Sequence, residues 1–464
     1  MAKGVLPYTL DQHLLLPPDM RAWLPEGHLA LFISDVVEQI DLSAIFAAYA
    51  CKDDRGRAGY HPSMMVKLLV YGYCVGKTSS RKMERATHED VAFRVLAGDQ
   101  HPDHDSIASF RQQHLKALGG LFMQVLRLCQ KAGLVKLGHV AIDGTKMGAN
   151  ASKHKAMSYG RMSETEKKLE EEVRRLLEEA ERVDAEEDAK FGKSVLGDEL
   201  PKELQRRDSR LKKIREAMPE LEAEAKVEAE VKAAEAKKKL EERAKKETET
   251  GKKTRGPAPA VPDAESAKPD PKSQRNFTDS ESRIMPDGAH KGSFIQAYNA
   301  QIAVDSVAQI IVAVDVVQEP NHKRQLVPML EQVKENVGRM PDATSADAGY
   351  FSEPAIEKGE SMGTELLVPP HRQKHADVVG DDAPTEVNSA QGRMREKLRT
   401  TAGHDLYRMR KAIVEPVFGQ IKEARGLRRF FSRGVAKVRD EFRFIALTHN
   451  LLKLFRARGL PTMP

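Results

Sequence analysis

Three acidic residues stand where they could hold metal ions for chemistry on phosphate groups. Asp143 and Asp347 each end a short apolar segment and are followed by a glycine-containing turn, while Glu415 lies beside apolar residues on a predicted helix. Carboxylates bind Mg²⁺, and two such ions about 3.5–4 Å apart can stabilise both the attacking and the leaving oxygen of a phosphodiester. The three acids are therefore candidates for both catalytic and metal-binding residues.

Each acid taken alone allows a plainer interpretation. An aspartate after a strand is more often a turn or capping residue. Asp305 and Asp315 also lie near predicted strand ends and could be mistaken for ligands. The three candidates can act together only if the fold brings them to one place.

The elements that would position these acids predict an α/β fold. Strand-type segments occur at 139–142, 294–305, 309–318, 342–350 and 364–370. The second and third of these are separated by a few residues only, which predicts an antiparallel hairpin. Helices are predicted between and after the later strands, and this order is typical of a mixed sheet with flanking helices.

The segment before the first strand, 20–135, is predicted to be an all-α domain. Apolar residues recur at helical spacing in 29–40, and a second helix follows Pro62. The segments 79–98 and 106–133 are each predicted to form one helix. Their polar side chains form either a solvated surface or a DNA-reading helix. These side chains are Arg81, Lys82, Arg85, Arg94, Arg111, Gln112, Gln113 and Lys116.

A charged segment follows the first strand. Residues 163–250 consist mainly of Glu, Lys, Arg, Ala and Leu, which predicts long helices with i,i+4 charge pairs in a helical hairpin or coiled-coil arm. Helix breaks are expected near 191–201 and at Pro219. The next segment, 251–280, is rich in Pro, Lys and Ser and is predicted to be a flexible linker. Residues 371–395 are predicted to be a polar loop.

Composition narrows the class of protein. The net charge is +6, with 31% charged and 5% aromatic residues, and much of the charge lies in the arm. The three cysteines have no C-x-x-C spacing, which argues against a disulfide framework and a zinc site. No stretch approaches 18 consecutive apolar residues. We therefore expect a soluble cytoplasmic protein with no membrane partner.

Three motifs carry a resemblance to a known family. DGTKMGANAS (143–152) resembles the first-aspartate motif of insertion-sequence transposases, and ADAGYFS (346–352) resembles their second motif. YRMRKAIVEPVFGQIK (407–422) resembles their Tyr-Arg-Glu-Lys signature, which Tyr407, Arg410, Glu415 and Lys422 fill here. The gap from Arg410 to Glu415 is one residue longer than usual, and Lys411 stands at the usual spacing. Either Arg410 or Lys411 can therefore fill the arginine position of the signature.

The resemblance covers roughly 50–160 and 280–450, including the N-terminal helices, and it implies a DDE transposase of a bacterial insertion sequence. It implies a ribonuclease-H-like core in which Asp143, Asp347 and Glu415 hold two Mg²⁺ or Mn²⁺ ions. The implied partner is double-stranded DNA, both the terminal inverted repeats and the target. A homodimer is expected in the active complex, associated with the nucleoid when bound to DNA.

Several basic residues are candidates for DNA contacts. The segment 421–458 holds 11 Lys or Arg residues against 3 Asp or Glu, a balance that suits the phosphate backbone. The candidates are Tyr407, Arg410, Lys411, Lys422, Arg428 and Arg429. The alternative for each is a solvated surface cation.

The expected domain organisation combines these segments. It consists of a helical DNA-binding domain at 1–135, a catalytic core at 136–160 and 276–425, a helical arm at 161–250, a flexible linker at 251–275 and a basic helical tail at 426–464. Two other functions stay open. One is a related nuclease or domesticated protein that cuts DNA without joining it. The other is a non-catalytic DNA-binding or coiled-coil scaffold protein, in which the three acids would be dispensable.

Overall fold

The structure of the chain is a computed structural model. It describes residues 19–50, 59–191, 202–250, 258–263, 265–288, 290, 292–371 and 389–458. The described residues form two compact units, one within 1–148 and 298–464 and the other within 149–297. None of the helices in these ranges is both long and apolar enough to cross a membrane.

The strands and helices alternate from residue 139 onward, after an N-terminal series of helices. Within the described ranges the strands are β1 (His139–Gly148), β2 (Ala156–Ser158), β3 (Gln274–Asn276), β4 (Arg283–Pro286), β5 (Phe294–Asp305), β6 (Ile311–Val317), β7 (Ala343–Ala346) and β8 (Glu365–Leu367). The helices are α1 (Leu29–Gln39), α2 (Ser43–Ala50), α3 (Pro62–Cys74), α4 (Ser80–Glu89), α5 (Val91–Ala97), α6 (His104–Gln113), α7 (Leu115–Lys131), α8 (Tyr159–Phe191), α9 (Lys202–Thr250), α10 (Leu326–Val337), α11 (Glu353–Ser361), α12 (Ala390–Arg399), α13 (Thr401–Gly419) and α14 (Val435–Ala457).

The first unit contains a mixed sheet in the order β6-β5-β1-β7-β8. Numbered along the chain, these five strands lie in the order 3-2-1-4-5, and β4 also pairs with the start of β5 in antiparallel orientation. Strands β5 and β6 are antiparallel, as the short connection between them predicted. Strand β1 pairs in parallel with β7, and β7 in parallel with β8. The predicted α/β class with a mixed sheet and flanking helices is confirmed.

The N-terminal helices belong to the same compact unit as the sheet. Helix α7 packs along α14, and α14 also packs against β6. The fit of α7 on α14 is close, because a Cβ at Gly119 would lie 2.8 Å from the carbonyl oxygen of Asp440. Much of α14 is buried, including Phe442, Phe444 and Leu447. Helix α14, which lies in the expected basic tail, is therefore part of the core. The functions assigned to the expected domains stay predictions.

Two predicted single helices are each broken into two. Helix α4 ends before Asp90, whose carboxylate accepts a hydrogen bond from the backbone N–H of Ala92 at 2.9 Å and caps α5. A second break falls at His114, between α6 and α7. Local periodicity cannot reveal such breaks, since the apolar pattern continues on both sides of them.

The second unit holds the charged arm. Helices α8 and α9 pack together in an antiparallel hairpin, joined by ion pairs such as Arg207–Glu172 and Arg215–Glu166. A small apolar cluster lies between them. Its buried members are Met157, Met162, Leu169, Leu211, Ile214, Ala217 and Leu221.

Three expectations for the polar segments are wrong. Helix α9 continues through Pro219, where packing of its apolar neighbours in the cluster offsets the lost backbone hydrogen bond. The expected linker contains β3, which pairs with β2 and buries the polar residues Arg275 and Asn276. The expected loop at 371–395 includes the start of α12. Residues 372–388 of that loop lie outside the described residues. The expected helix break near 191–201 falls on residues 192–201, which also lie outside them.

Candidate active site

The parallel register of β1 and β7 positions two of the three acids. Ile142 is the partner of Ala346, so Asp143 and Asp347 are the next residues at the same edge of the sheet. Both strands are buried up to this point, where their parallel pairing ends. The expected strand end at Asp143 is wrong, because β1 continues to Gly148. The carboxyl ends of adjacent parallel strands thus bring together side chains that are 204 residues apart in the sequence.

Asp143 is paired with an arginine from α13. The guanidinium of Arg410 donates to Oδ2 of Asp143 at 3.0 Å, and the two side chains are only 8% and 18% exposed. Burial raises the pKa of Asp143 to about 6, while the charge of Arg410 lowers it and the charge of Asp347 raises it. The carboxylates of Asp143 and Asp347 are thus close enough to repel each other.

Asp347 begins a short 3₁₀ turn. Its Oδ1 accepts a hydrogen bond from the backbone N–H of Gly349 at 3.0 Å, which fixes one carboxylate oxygen against the turn. Lys146, on β1, adds a positive charge nearby. Burial lowers the pKa of Lys146 to about 8, and the charges of Asp347 and Asp143 act in the opposite direction. The ammonium group of Lys146 donates to the carbonyl oxygen of Pro320 at 2.6 Å.

Two further residues of the Tyr-Arg-Glu-Lys signature, Tyr407 and Lys422, lie near the two aspartates. Tyr407 is half-buried, and its ring lies 5.8 Å from the guanidinium carbon of Arg410. The ammonium of Lys422 donates to Oγ1 of Thr145 at 3.1 Å and to the carbonyl oxygen of Lys146 at 3.2 Å. It therefore supports the end of β1 just after Asp143.

Glu415 is placed differently. Its side chain is exposed on α13, whereas Val414 and Val417 on the same helix are buried. Among the described residues, no group of three or more Asp, Glu, His or Cys side chains is positioned to hold a metal ion. The structure thus brings Asp143 and Asp347 together without Glu415, and the role of Glu415 stays a prediction.

The remaining candidates for DNA contacts are exposed. Lys411 lies on the outer face of α13, next to the buried Arg410. Arg428 is 62% exposed and forms an ion pair with Glu423, and Arg429 is exposed in the segment that pairs with Gly148. Arg410 is the cation that reaches Asp143, which favours it over Lys411 for the arginine position of the motif.

Three further residues lie around the two aspartates, and the sequence motifs include only one of them, Tyr350. His322 lies in the loop between β6 and α10, and its ring stacks on that of Tyr350 with centroids 4.9 Å apart. Gln301 on β5 connects them, because its Nε2 donates to Nδ1 of His322 at 2.9 Å and its Oε1 accepts from the Tyr350 hydroxyl. Tyr350 was visible within the second motif, whereas His322 and Gln301 lie in segments without one.

The two aspartates that could have been mistaken for ligands have structural contacts. Asp305 is buried and accepts hydrogen bonds from the backbone N–H groups of Lys136, Leu137 and Val307. Asp315 forms an ion pair with Arg439 of α14. Asp305, at the end of β5, fits the turn-or-cap interpretation, whereas Asp315 lies within β6 and connects it to α14.

The chemistry of the donor set fits a divalent cation. Two carboxylates meet at one sheet edge, and Mg²⁺ in enzymes that act on phosphates is commonly held by one or two carboxylates, with water and substrate phosphate oxygens completing its shell. The mutual repulsion of Asp143 and Asp347 would be relieved by a shared cation. The residues that would hold the ion are thus Asp143 and Asp347.

Comparisons with known proteins agree with this arrangement. A family model described as a transposase domain (DUF772) matches residues 18–113. A second model, described as a transposase DDE domain, matches residues 263–451. The first match covers most of the N-terminal helices, and the second includes Asp347 and Glu415, while Asp143 lies between the two ranges. Comparisons with curated proteins and with solved structures gave no match.

The DDE domain identifies an enzyme of the nuclease and transposase class. The two matches together identify the chain as a DDE transposase of the insertion-sequence type, as the three motifs predicted. Its function is transposition, its DDE domain implies metal-dependent cleavage of DNA, and DNA is its partner.

Proposed function

We propose that this transposase cleaves DNA at the ends of its insertion sequence and transfers the cut strand to a target. The observation that carries the proposal is the parallel register of β1 and β7, which sets Asp143 beside Asp347. A divalent ion bound there would supply Lewis-acid activation of the attacking oxygen and charge neutralisation at the phosphate. We propose that two such ions, Mg²⁺ or Mn²⁺, act together, and that Glu415 is the third protein residue that binds them.

The surrounding residues orient the two aspartates. The guanidinium of Arg410 holds one oxygen of Asp143, and the N–H of Gly349 holds one oxygen of Asp347. Oδ1 of Asp143 also accepts a hydrogen bond from the backbone N–H of Gly144 at 2.7 Å. A carboxylate oxygen that accepts one hydrogen bond retains a lone pair for a metal ion. Lys422 supports the backbone just after Asp143, and Tyr407 packs beside Arg410. Arg410 and Lys422 therefore act mainly on the geometry of the site in this proposal, with phosphate contacts as their second role.

DNA binding is assigned to the exposed cations. Lys411, Arg428 and Arg429 are exposed, which supports contacts to the phosphate backbone from the segments that follow the site. Such contacts depend strongly on salt because bound counterions are released. The protein is proposed to bind its terminal inverted repeats and its target in this way, as a homodimer in the active complex.

The test is a cleavage and joining assay on a labelled DNA that carries one end of the element. Asp143→Asn and Asp347→Asn remove the charge that holds a metal ion while keeping the size of the side chain. We expect both variants to lose cleavage and joining and to retain DNA binding. Glu415→Gln in the same assay tests the third acid. Wild-type rates for Asp347→Asn would contradict the proposal.

The assay also separates the two other functions. A nuclease would release the labelled strand in Mg²⁺ without ever forming the joined product. A non-catalytic scaffold protein would bind the DNA equally well with all three acids replaced, and the wild-type protein would leave the DNA intact. Joined product from the wild-type protein excludes both.

A further inference from the structure

His322 occupies a space that two glycines keep open. A Cβ atom at Gly144, directly after Asp143, would collide with Gln301 and with Cε1 of His322. A Cβ atom at Gly349, two residues after Asp347, would lie 3.3 Å from Cδ2 of His322 and 3.0 Å from Oδ1 of Asp347. The imidazole ring is therefore packed between the residues that follow the two aspartates.

The hydrogen bonds of the ring determine its tautomer. Nδ1 of His322 faces two amide donors, Nε2 of Gln301 at 2.9 Å and Nδ2 of Asn299 at 3.4 Å. The orientation of Gln301 is set by Tyr350, whose hydroxyl donates to Oε1 of Gln301. Nδ1 must therefore accept, and the proton of the neutral ring lies on Nε2.

Nε2 of His322 lies between the two ring carbons that approach the two glycines. Nε2 is bonded to Cε1, which lies against Gly144, and to Cδ2, which lies against Gly349. Gly144 directly follows Asp143, and Gly349 stands two residues after Asp347. No hydrogen bond to Nε2 is formed by any residue in the described part of the chain, so this donor is available to a ligand at the site.

We propose that His322 is a catalytic residue whose Nε2–H donates a hydrogen bond to a non-bridging oxygen of the scissile phosphate. The proposal rests on the proposed function, since it requires DNA cleavage at Asp143 and Asp347. In this role His322 donates a hydrogen bond to the oxygen on which charge develops, and no proton is transferred. Such a fixed donor acts on the transition state more than on the bound DNA.

His322 is distinct from a metal ligand in this arrangement. A ring nitrogen binds a metal ion through its lone pair, and Nε2 carries the proton in this tautomer. Its Nδ1 is also occupied by Gln301. Hydrogen bonding to the phosphate is the role that leaves all these contacts in place.

Two substitutions at this position separate the donor from the packing. In His322→Gln the amide nitrogen can reach the place of Nε2, whereas in His322→Asn the shorter side chain reaches only the place of Nδ1. Single-turnover cleavage of labelled end DNA in Mg²⁺ should stay within about tenfold of wild type for Gln and fall roughly 10²–10³-fold for Asn. DNA binding and the thermal unfolding temperature should be similar for both. His290→Asn, at a side chain that is 78% exposed, is the matched control and should cleave normally.

A second variant tests the tautomer with His322 intact. In Gln301→Glu a carboxylate replaces the amide donor, so Nδ1 must donate rather than accept, and a neutral ring then carries no proton on Nε2. Cleavage by Gln301→Glu should fall by the factor expected for His322→Asn. This variant keeps the proposal testable if His322→Asn does not fold.

Phosphorothioate DNA gives a readout that a structural role would not change. Sulfur in place of the oxygen that His322 contacts weakens the same hydrogen bond that His322→Asn removes. In one of the two phosphorothioate diastereomers, sulfur should therefore slow cleavage by the wild-type protein more than cleavage by His322→Asn. Wild-type cleavage by His322→Asn, or equal losses for Gln and Asn, would overturn the proposal for His322 alone. A wild-type protein that fails to cleave in Mg²⁺ and in Mn²⁺ would overturn the proposed function together with it.

Discussion

Arg410 and Lys411 are adjacent in the sequence and have opposite environments. The guanidinium of Arg410 is nearly buried against Asp143, whereas Lys411 is exposed. The sequence alone left both as candidates for the arginine position of the motif. A buried carboxylate that loses its charged partner is destabilised, while an exposed lysine contributes little to folding.

This difference predicts separate effects of two neighbouring substitutions. Arg410→Gln should lower the free energy of unfolding by about 1–3 kcal/mol and reduce cleavage at least about tenfold. Lys411→Gln should change the free energy of unfolding by less than about 0.5 kcal/mol and weaken DNA binding at low salt. Urea unfolding and end-DNA cleavage measure both. A larger loss of stability and cleavage for Lys411→Gln would assign the arginine position to Lys411 instead.

At the scale of elements, the fit between α7 and α14 joins the N-terminal helices to the catalytic sheet. Gly119 and Gly120 test this contact, because a Cβ at Gly119 would meet the backbone of Asp440, whereas nothing lies within 4 Å of one at Gly120. Gly119→Ala should destabilise the protein by about 1–3 kcal/mol through overpacking. Gly120→Ala should stabilise it by up to about 1 kcal/mol through helix propensity. Equal effects in urea unfolding would mean that the two helices do not pack closely.

Helix α14 also carries a buried histidine against the sheet. Nε2 of His449 lies 2.9 Å from the carbonyl oxygen of Gln309, and burial lowers the pKa of His449 to about 3. An unfolded histidine has a pKa of about 6.5. Between these values only the unfolded state binds the proton, so that stability is lost as the pH falls from about 6.5 toward 3.

Replacing this histidine should therefore change the pH dependence of folding. In His449→Gln the free energy of unfolding should depend less on pH in that window, by about 1.4 kcal/mol per pH unit relative to wild type. Urea titrations at pH 4, 5, 6 and 7 measure the slopes, and His290→Gln should keep the wild-type slope. An unchanged slope in His449→Gln would show that His449 is protonated in the folded protein.

The sequence predicted the positions of the strands better than the ends of the helices or the contacts between distant side chains. The strand-type segments before Asp143 and Asp347 correctly located β1 and β7, and thereby both aspartates, although β1 extends beyond Asp143 to Gly148. The ends of α4 and α6 were missed because capping by Asp90 and the break at His114 interrupt a continuing apolar pattern. His322 could not be identified, because its role depends on packing between glycines from distant segments.

At the scale of the whole molecule, the second unit has its own pattern of stability. The apolar cluster between α8 and α9 is limited to 157–169 and 211–221, and the buried Arg275 bonds to Glu220 and Glu224 beside it. The pairs closer to the ends of the hairpin, such as Arg207–Glu172, are ionic and largely exposed. Few buried apolar contacts mean that a segment opens more easily.

Hydrogen exchange measured by mass spectrometry should reflect this pattern. Peptides from 170–191 should exchange faster than those from 157–169 and 211–221, and both should exchange faster than β1 and β7. Arg275→Gln should speed exchange in 211–224 and leave β7 unchanged. Uniform protection along α8 would contradict the inference that the apolar cluster stabilises the hairpin.

The central claim is that Asp143 and Asp347 hold one divalent cation together. Fe²⁺ in place of Mg²⁺ tests it directly, since with peroxide and ascorbate a bound iron ion cuts the polypeptide near its ligands. We expect cuts in the segments around 143 and around 347 in the same preparation, suppressed by Mg²⁺ or Mn²⁺, and loss of both cuts in Asp347→Asn. Additional cuts around 415 would include Glu415 in the site. Cuts at only one of the two aspartates, or cuts that persist in Asp347→Asn, would contradict a shared cation.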